Sequence, residues 1–202
     1  IFKTPNLNQL KKEGLDFKRA YIPTPTCSPS RLSLLTGKEA IRLGMPRHIS
    51  IDPNDPEAEY NLWPTDPVQR PSRNYLPLEE VTYAERLKEL GYYNMFIGKW
   101  HLGHVGRYPI DQGFDAEFGV TDHGHPKSYY YPFFKDGDPR GFMKNYKKGD
   151  YLTDVLTDGA VDFIENYDKD QPFMMSFWYY SVHGPSIGRK DLLKKYQDAG
   201  LK

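Results

Sequence analysis

Two apolar runs, residues 92–97 and 173–182, constrain this chain most, because each is aromatic and apolar enough for a strand buried on both faces. Each follows a helical segment. Thr82 and Glu85 form a capping box for a helix running to Leu90, with Ala84, Leu87 and Leu90 available to one face and Gly91 as its stop. Residues 152–167 repeat apolar side chains at Leu152, Val155, Leu156, Ala160, Phe163 and Ile164, with acidic residues on the other face. That is the period of a packing helix. Alternating helix and strand in this way implies an α/β class.

The remaining segments fit around that frame. Thr4-Pro5-Asn6 reads as an N-cap followed by proline at the first helical position, so a helix spans about 5–13, ended by Gly14. Leu15, Phe17 and Arg19 then alternate with Asp16, Lys18 and Ala20 in a strand-like pattern that ends at Tyr21. Residues 46–77 hold seven prolines and no clear period, an irregular surface excursion. Residues 189–202 read as a basic and polar surface helix. At 202 residues the chain is long enough for one domain with a sizeable core, or for part of a larger one.

Composition excludes several functions. Lys plus Arg and Asp plus Glu each number 27, so the chain lacks the electrostatic footprint of a nucleic-acid or membrane-surface binder, and any anion recognition must be local. One cysteine permits neither an internal disulfide nor a Cys-rich zinc site. The longest apolar run falls far short of the roughly 20 residues of a bilayer span. We therefore read a soluble chain. Sixteen tyrosines suit flat, partly polar ligands, sugars included, and equally suit a thick sheet core.

The chemistry gathers at three places. The only cysteine lies in TPTCSPSRLSLLTG, residues 24–37, where Cys27, Pro29 and Arg31 make a Cys-x-Pro-x-Arg core in a turn just before a helix. A helix N-terminus offers free N–H groups and a positive dipole end, which favour anions. The strand at 92–97 runs directly into Gly98-Lys99-Trp100-His101-Leu102-Gly103, where Lys99 and His101, two apart on an extended segment, can face one side. The second strand delivers His183-Gly184-Pro185. His48 and His104 receive no role. His123 and His125 are weak evidence for a metal, and the run Tyr129-Tyr130-Tyr131, near a Gly-Asp-Pro-Arg turn, is either a sugar-stacking loop or ordinary core aromatics.

Together these motifs, with Leu35-Thr36-Gly37, Pro109 and Gly113-Phe114-Asp115 in order behind them, resemble the type I sulfatases. The resemblance runs from the TPNLNQL helix to the helix after His183. It implies an alkaline-phosphatase-like α/β fold, a large mixed sheet flanked by helices on both faces, of which residues 1–202 are an incomplete part within a single catalytic domain. It implies hydrolysis of sulfate monoesters, of a carbohydrate or aryl compound. Cys27 would be oxidised by a formylglycine-generating enzyme to formylglycine (3-oxoalanine), whose hydrate is the nucleophile. Arg31 would hold the formylglycine, Lys99 would bridge it to a sulfate oxygen, His101 would orient the diol and take its proton, and His183 would contact sulfate and leaving-group oxygen. The family also holds a divalent cation, commonly calcium, for which Cys27 as formylglycine is the one ligand we identify. The remaining ligands are expected outside these residues, so we expect a longer sulfatase, the isolated segment binding metal poorly and turning over little. The expected partners are a small-molecule or glycan sulfate ester and the modifying enzyme, with no nucleic acid and no membrane, in a periplasmic or extracellular setting. Two alternatives stay open: a phosphonate monoester or phosphodiester hydrolase with the same signature, and a non-catalytic ligand-binding relative.

Overall fold

The computed structural model describes residues 3–50, 58–61, 71–135 and 140–200. In chain order its elements are α1 (Pro5–Glu13), α2 (Cys27–Thr36), β1 (Tyr60–Asn61), β2 (Ser72–Arg73), α3 (Tyr83–Glu89), β3 (Tyr93–Gly98), β4 (Ala116–Phe118), α4 (Leu152–Glu165), β5 (Phe173–Trp178) and α5 (Lys190–Asp198), with 3-10 turns at Pro109–Gln112 and Phe142–Asn145. The main sheet has the order β4-β3-β5, all parallel. β1 and β2 form a small antiparallel pair.

β3 is the centre of the molecule. From Asn94 to Gly98 it is buried at every residue, as expected of a parallel strand covered on both faces. Successive side chains point to opposite sides, so the strand feeds two separate cores. Phe96 joins Leu32 and Leu35 of α2, Ala84 of α3, Trp100 and Phe114. Met95 and Ile97 join Leu152, Val155 and Leu156 of α4, with Phe133 and Tyr180. Helices thus pack on both faces of the sheet. Phe96 is fully buried and meets Trp100, Phe114 and Trp178 edge-on at ring separations of 5.2, 5.2 and 5.3 Å.

The helix signals hold well. The Glu85 N–H donates to Thr82 Oγ1 at 3.2 Å and the Thr82 N–H donates to Glu85 Oε2 at 2.7 Å, completing the capping box of α3. Four local expectations change. Residues 15–21 form no strand: the alternation is present, but a strand needs a neighbour to share its hydrogen bonds, and Leu15 and Phe17 stand 86% and 76% exposed. α2 begins at Cys27 rather than after it, because extended Thr26 takes the N-cap position. β5 ends at Trp178, and residues 179–182 turn instead of continuing to Val182. The C-terminal helix stops at Asp198. Much of the 46–77 excursion, at 51–57 and 62–70, and all but Arg140 of the Gly-Asp-Pro-Arg turn lie outside the described residues.

Candidate active site

α2 fixes the first pair of residues. Cys27 opens the helix and Arg31, four residues on, shares its face, while Ser28, Pro29, Leu32 and Leu35 are buried and anchor the helix. Arg31 Nη1 donates to the carbonyl oxygen of Lys99, and its guanidinium carbon sits 4.9 Å from the centre of the Trp178 ring. Burial pulls the guanidinium down to about 10, against the opposing pull of Cys27 and Tyr180. It remains charged at neutral pH.

The end of β3 fixes the second pair. A Cβ on Gly98 would stand 2.2 Å from the Trp178 carbonyl oxygen, so glycine is what lets the ends of β3 and β5 close together. The next N–H, of Lys99, donates to that same carbonyl at 2.8 Å. Lys99 is 3% exposed, and Cys27 lies near enough to act on its charge. Burial, and secondly the charge of Arg31, lower its pKa, while Cys27 pulls the other way. Trp100 is fully buried and donates from Nε1 to the Arg107 carbonyl at 2.7 Å, which locks the residue between Lys99 and His101. His101 itself has φ +55°, a left-handed conformation that costs a non-glycine residue on the order of 1 kcal/mol or more. The segment is therefore not extended as expected. The turn sends Lys99 inward against Cys27 and leaves His101 on the wall of a cavity.

His101 Nδ1 lies 3.5 Å from Ser28 Oγ, which accepts the Ile49 N–H at 3.0 Å. The His48 ring stacks on His101 at 6.3 Å. Burial first, then the positive charges of Lys99 and Arg31, hold the His101 imidazole well below the ordinary histidine range, with His48 and His125 adding smaller pushes. It is neutral at pH 7 and available to accept a proton.

The chain after β5 supplies the third histidine. The Tyr129 hydroxyl sits 2.9 Å from the carbonyls of both Tyr180 and His183, tying down the turn that carries His183. His183 Nδ1 is 3.0 Å from the Gly184 carbonyl and His125 Nδ1 is 3.2 Å from that of Pro126. In the neutral rings both Nδ1–H groups donate, which leaves each Nε2 bare. The two rings stack at 5.2 Å with 8° between their planes.

Cys27, His101 and His183 line one cavity of about 420 Å³, completed by His48, Ile49 and residues 122–125. Lys99 lies buried against Cys27, and Arg31 flanks a second cleft that Cys27 also lines. The structure thus brings the other four expected residues to the neighbourhood of Cys27: His101 and His183 on the shared cavity, Arg31 on the second cleft and Lys99 bonded through its carbonyl to Arg31. It adds His48, Asp122, His123 and His125, which had no expected role at a catalytic site. Asp122 accepts the Tyr108 hydroxyl at 2.7 Å. A His-x-His flanking a glycine was the one available signal for the 122–125 wall; nothing local marks His48.

Calcium takes about six or more oxygen ligands. Among the described residues no group of three or more His, Cys, Asp or Glu is placed to hold a metal ion. The described residues therefore do not by themselves compose the calcium site that the resemblance implies.

A family model described as Sulfatase matches residues 1–200. The chain belongs to the sulfatase family. It is similar to the human N-acetylgalactosamine-6-sulfatase, 32% identical over 203 residues that cover 95% of this chain and 37% of that protein. It is also similar to the human arylsulfatase G, 35% identical over 186 residues covering 86% of this chain and 30% of the relative. The chain thus spans about a third of the length of these relatives. Among solved structures, a protein in complex with its substrate D-glucosamine-2-N,6-O-disulfate superposes with a TM-score of 0.68 at 26% identity, over 100% of this chain and 34% of that one. A protein solved with a neocarrahexaose gives a TM-score of 0.69 at 24% identity, over 98% of this chain and 44% of the other. The α/β sheet described above is accordingly part of the alkaline-phosphatase-like fold of the sulfatases.

Proposed function

We propose that this protein hydrolyses sulfate monoesters of carbohydrates, and that residues 1–202 form part of a single catalytic domain in which Cys27 becomes the nucleophile. The observation that carries the reading is the convergence of Cys27, His101 and His183 on one cavity, with Arg31 of the same helix bonded to the Lys99 carbonyl. The carbohydrate assignment draws on relatives and neighbours named for sulfated amino sugars. The setting that suits such esters is periplasmic or extracellular, and no described helix is long and apolar enough to cross a membrane.

A sulfate monoester is a stable anion, so its cleavage needs charge neutralisation, a strong nucleophile and help for the departing oxygen. Formylglycine, installed at Cys27 by a formylglycine-generating enzyme, supplies a geminal diol with one oxygen to attack sulfur and a second to expel sulfate afterwards. The chain's own residues do the rest. Arg31, one turn along α2, holds a positive charge under the nucleophile and fixes the Lys99 backbone. Lys99 stabilises charge on a sulfate oxygen. His101, neutral at pH 7 because it is buried and lies near positive charges, takes the hydroxyl proton. His183, its Nδ1 held by the Gly184 carbonyl, turns Nε2 toward sulfate and leaving-group oxygen and donates to them in its protonated form. Calcium, which completes the family's site, would be held here by Cys27 as formylglycine together with further oxygen ligands.

The test compares the whole protein, produced with a formylglycine-generating enzyme, on the sulfate and phosphate esters of 4-nitrophenol and on a 6-sulfated amino sugar. Faster cleavage of sulfate esters, abolished by Cys27→Ala, is the expected result. Preference for the phosphate ester, or activity that survives Cys27→Ala, would replace the reading with a phosphoester hydrolase or a different nucleophile.

A further inference from the structure

Gly124 occupies a place where a side chain has no room. A Cβ there would stand 2.4 Å from Cε1 and from Nε2 of His101, and 2.8 Å from its Nδ1. Carbon atoms in comfortable contact sit about 3.5–4.0 Å apart. The overlap falls on the imidazole itself. The backbone of Gly124 does not explain the glycine, because its φ lies outside the left-handed region that favours this residue. What the glycine provides is room for the ring.

That ring has little freedom to yield. His101 is set by a left-handed φ of +55°, by Ser28 Oγ at 3.5 Å from Nδ1, and by the His48 ring stacked at 6.3 Å. We propose that Gly124 is a positioning residue: its bare backbone seats the His101 imidazole in the cavity shared with Cys27, and any side chain at 124 displaces it. The proposal rests on the sulfatase reading for its consequence in rate, but not for the seating itself.

A displacement of about 1 Å in a proton-accepting group costs on the order of a hundredfold in rate. In the whole protein, Gly124→Ala should therefore lower kcat on a sulfate ester by about a hundredfold with KM little changed. In a His101→Ala background, where the overlapped ring is absent, the same change should cost less than about twofold, since the coupling has been removed. The ring resonances of His101, assigned by their loss in His101→Ala, should shift in Gly124→Ala. An unchanged kcat, an equal loss in both backgrounds or unshifted resonances would overturn the proposal. If Gly124→Ala alone fails to fold, the double variant should fold; failure of both would mean that the loop itself needs the glycine, which also overturns it. Should the unaltered protein cleave no sulfate ester, the sulfatase reading fails on its own, and the His101 resonances still decide the seating.

Discussion

Replacing Lys99 with methionine should make the protein more stable and much less active, because the two effects have separate origins. Lys99 is 3% exposed and lies near Arg31, and burial and that like charge both work against its protonated form, while Cys27 pulls the other way. Exchanging a buried charge for an apolar side chain of similar length is often neutral or stabilising by about 1–4 kcal/mol. Taking the low end, about 1 kcal/mol, the thermal midpoint rises by up to about 2 °C for a catalytic domain longer than these residues. The sign with pH follows. A lysine whose folded pKa is lowered destabilises the native state while it is charged there, and that penalty fades as pH rises from the folded pKa toward 10.5, where the unfolded lysine also discharges. The gain from Lys99→Met should thus be full at neutral pH and shrink near 10.5. Activity moves the other way. Losing a charge-assisted hydrogen bond to sulfate costs about 1.5–3 kcal/mol, or about 10- to 150-fold in kcat. Scanning calorimetry at pH 7 and near the lysine range, with kcat on one sulfate ester, reads both arms. A midpoint that falls, or a kcat within twofold of the parent, would refute the reasoning.

Two further outcomes follow from the same geometry. Because His101 is held well below the ordinary histidine value of 6.5, the kcat/KM profile should stay flat from neutral pH down through 6.5 and fall only on its acid side; a half-loss at or above 6.5 would mean that another group controls the rate. Thr82→Ala removes both the cap of α3 and the hydroxyl's bond to the Gln112 carbonyl, and should cost about 1–2 kcal/mol in urea unfolding without changing KM; a loss below the error of the extrapolation would show the cap to be idle.

What could be read from the sequence was local chemistry. The Thr82/Glu85 capping box, the apolar period of α4 and the unbroken apolar run of β3 each carry their structure within a few residues, and each formed where expected. The Cys27 motif was legible as the contiguous run Cys-x-Pro-x-Arg, although Cys27 was expected in the turn before α2 and instead opens the helix. Other features depend on what a segment meets. Residues 15–21 alternate as a strand should, yet no neighbour among the described residues shares their hydrogen bonds. The wall at 122–125 and His48 reach the cavity across long loops, so no spacing announces them. The left-handed turn at His101 was hidden too, since no glycine stands at that position to mark a positive φ.

The central claim is that Cys27 is converted to an aldehyde and acts from that form. The direct measurement is peptide mass across residues 24–31 of the whole protein made with a formylglycine-generating enzyme, with a hydrazide probe to capture the aldehyde. The thiol-to-aldehyde change lowers the mass by about 18 Da, and hydration nearly restores it, which is why the probe is needed. A hydrazide adduct at Cys27, absent in Cys27→Ala, is the predicted result. An unmodified thiol under those conditions would contradict the account and leave a ligand-binding relative as its replacement.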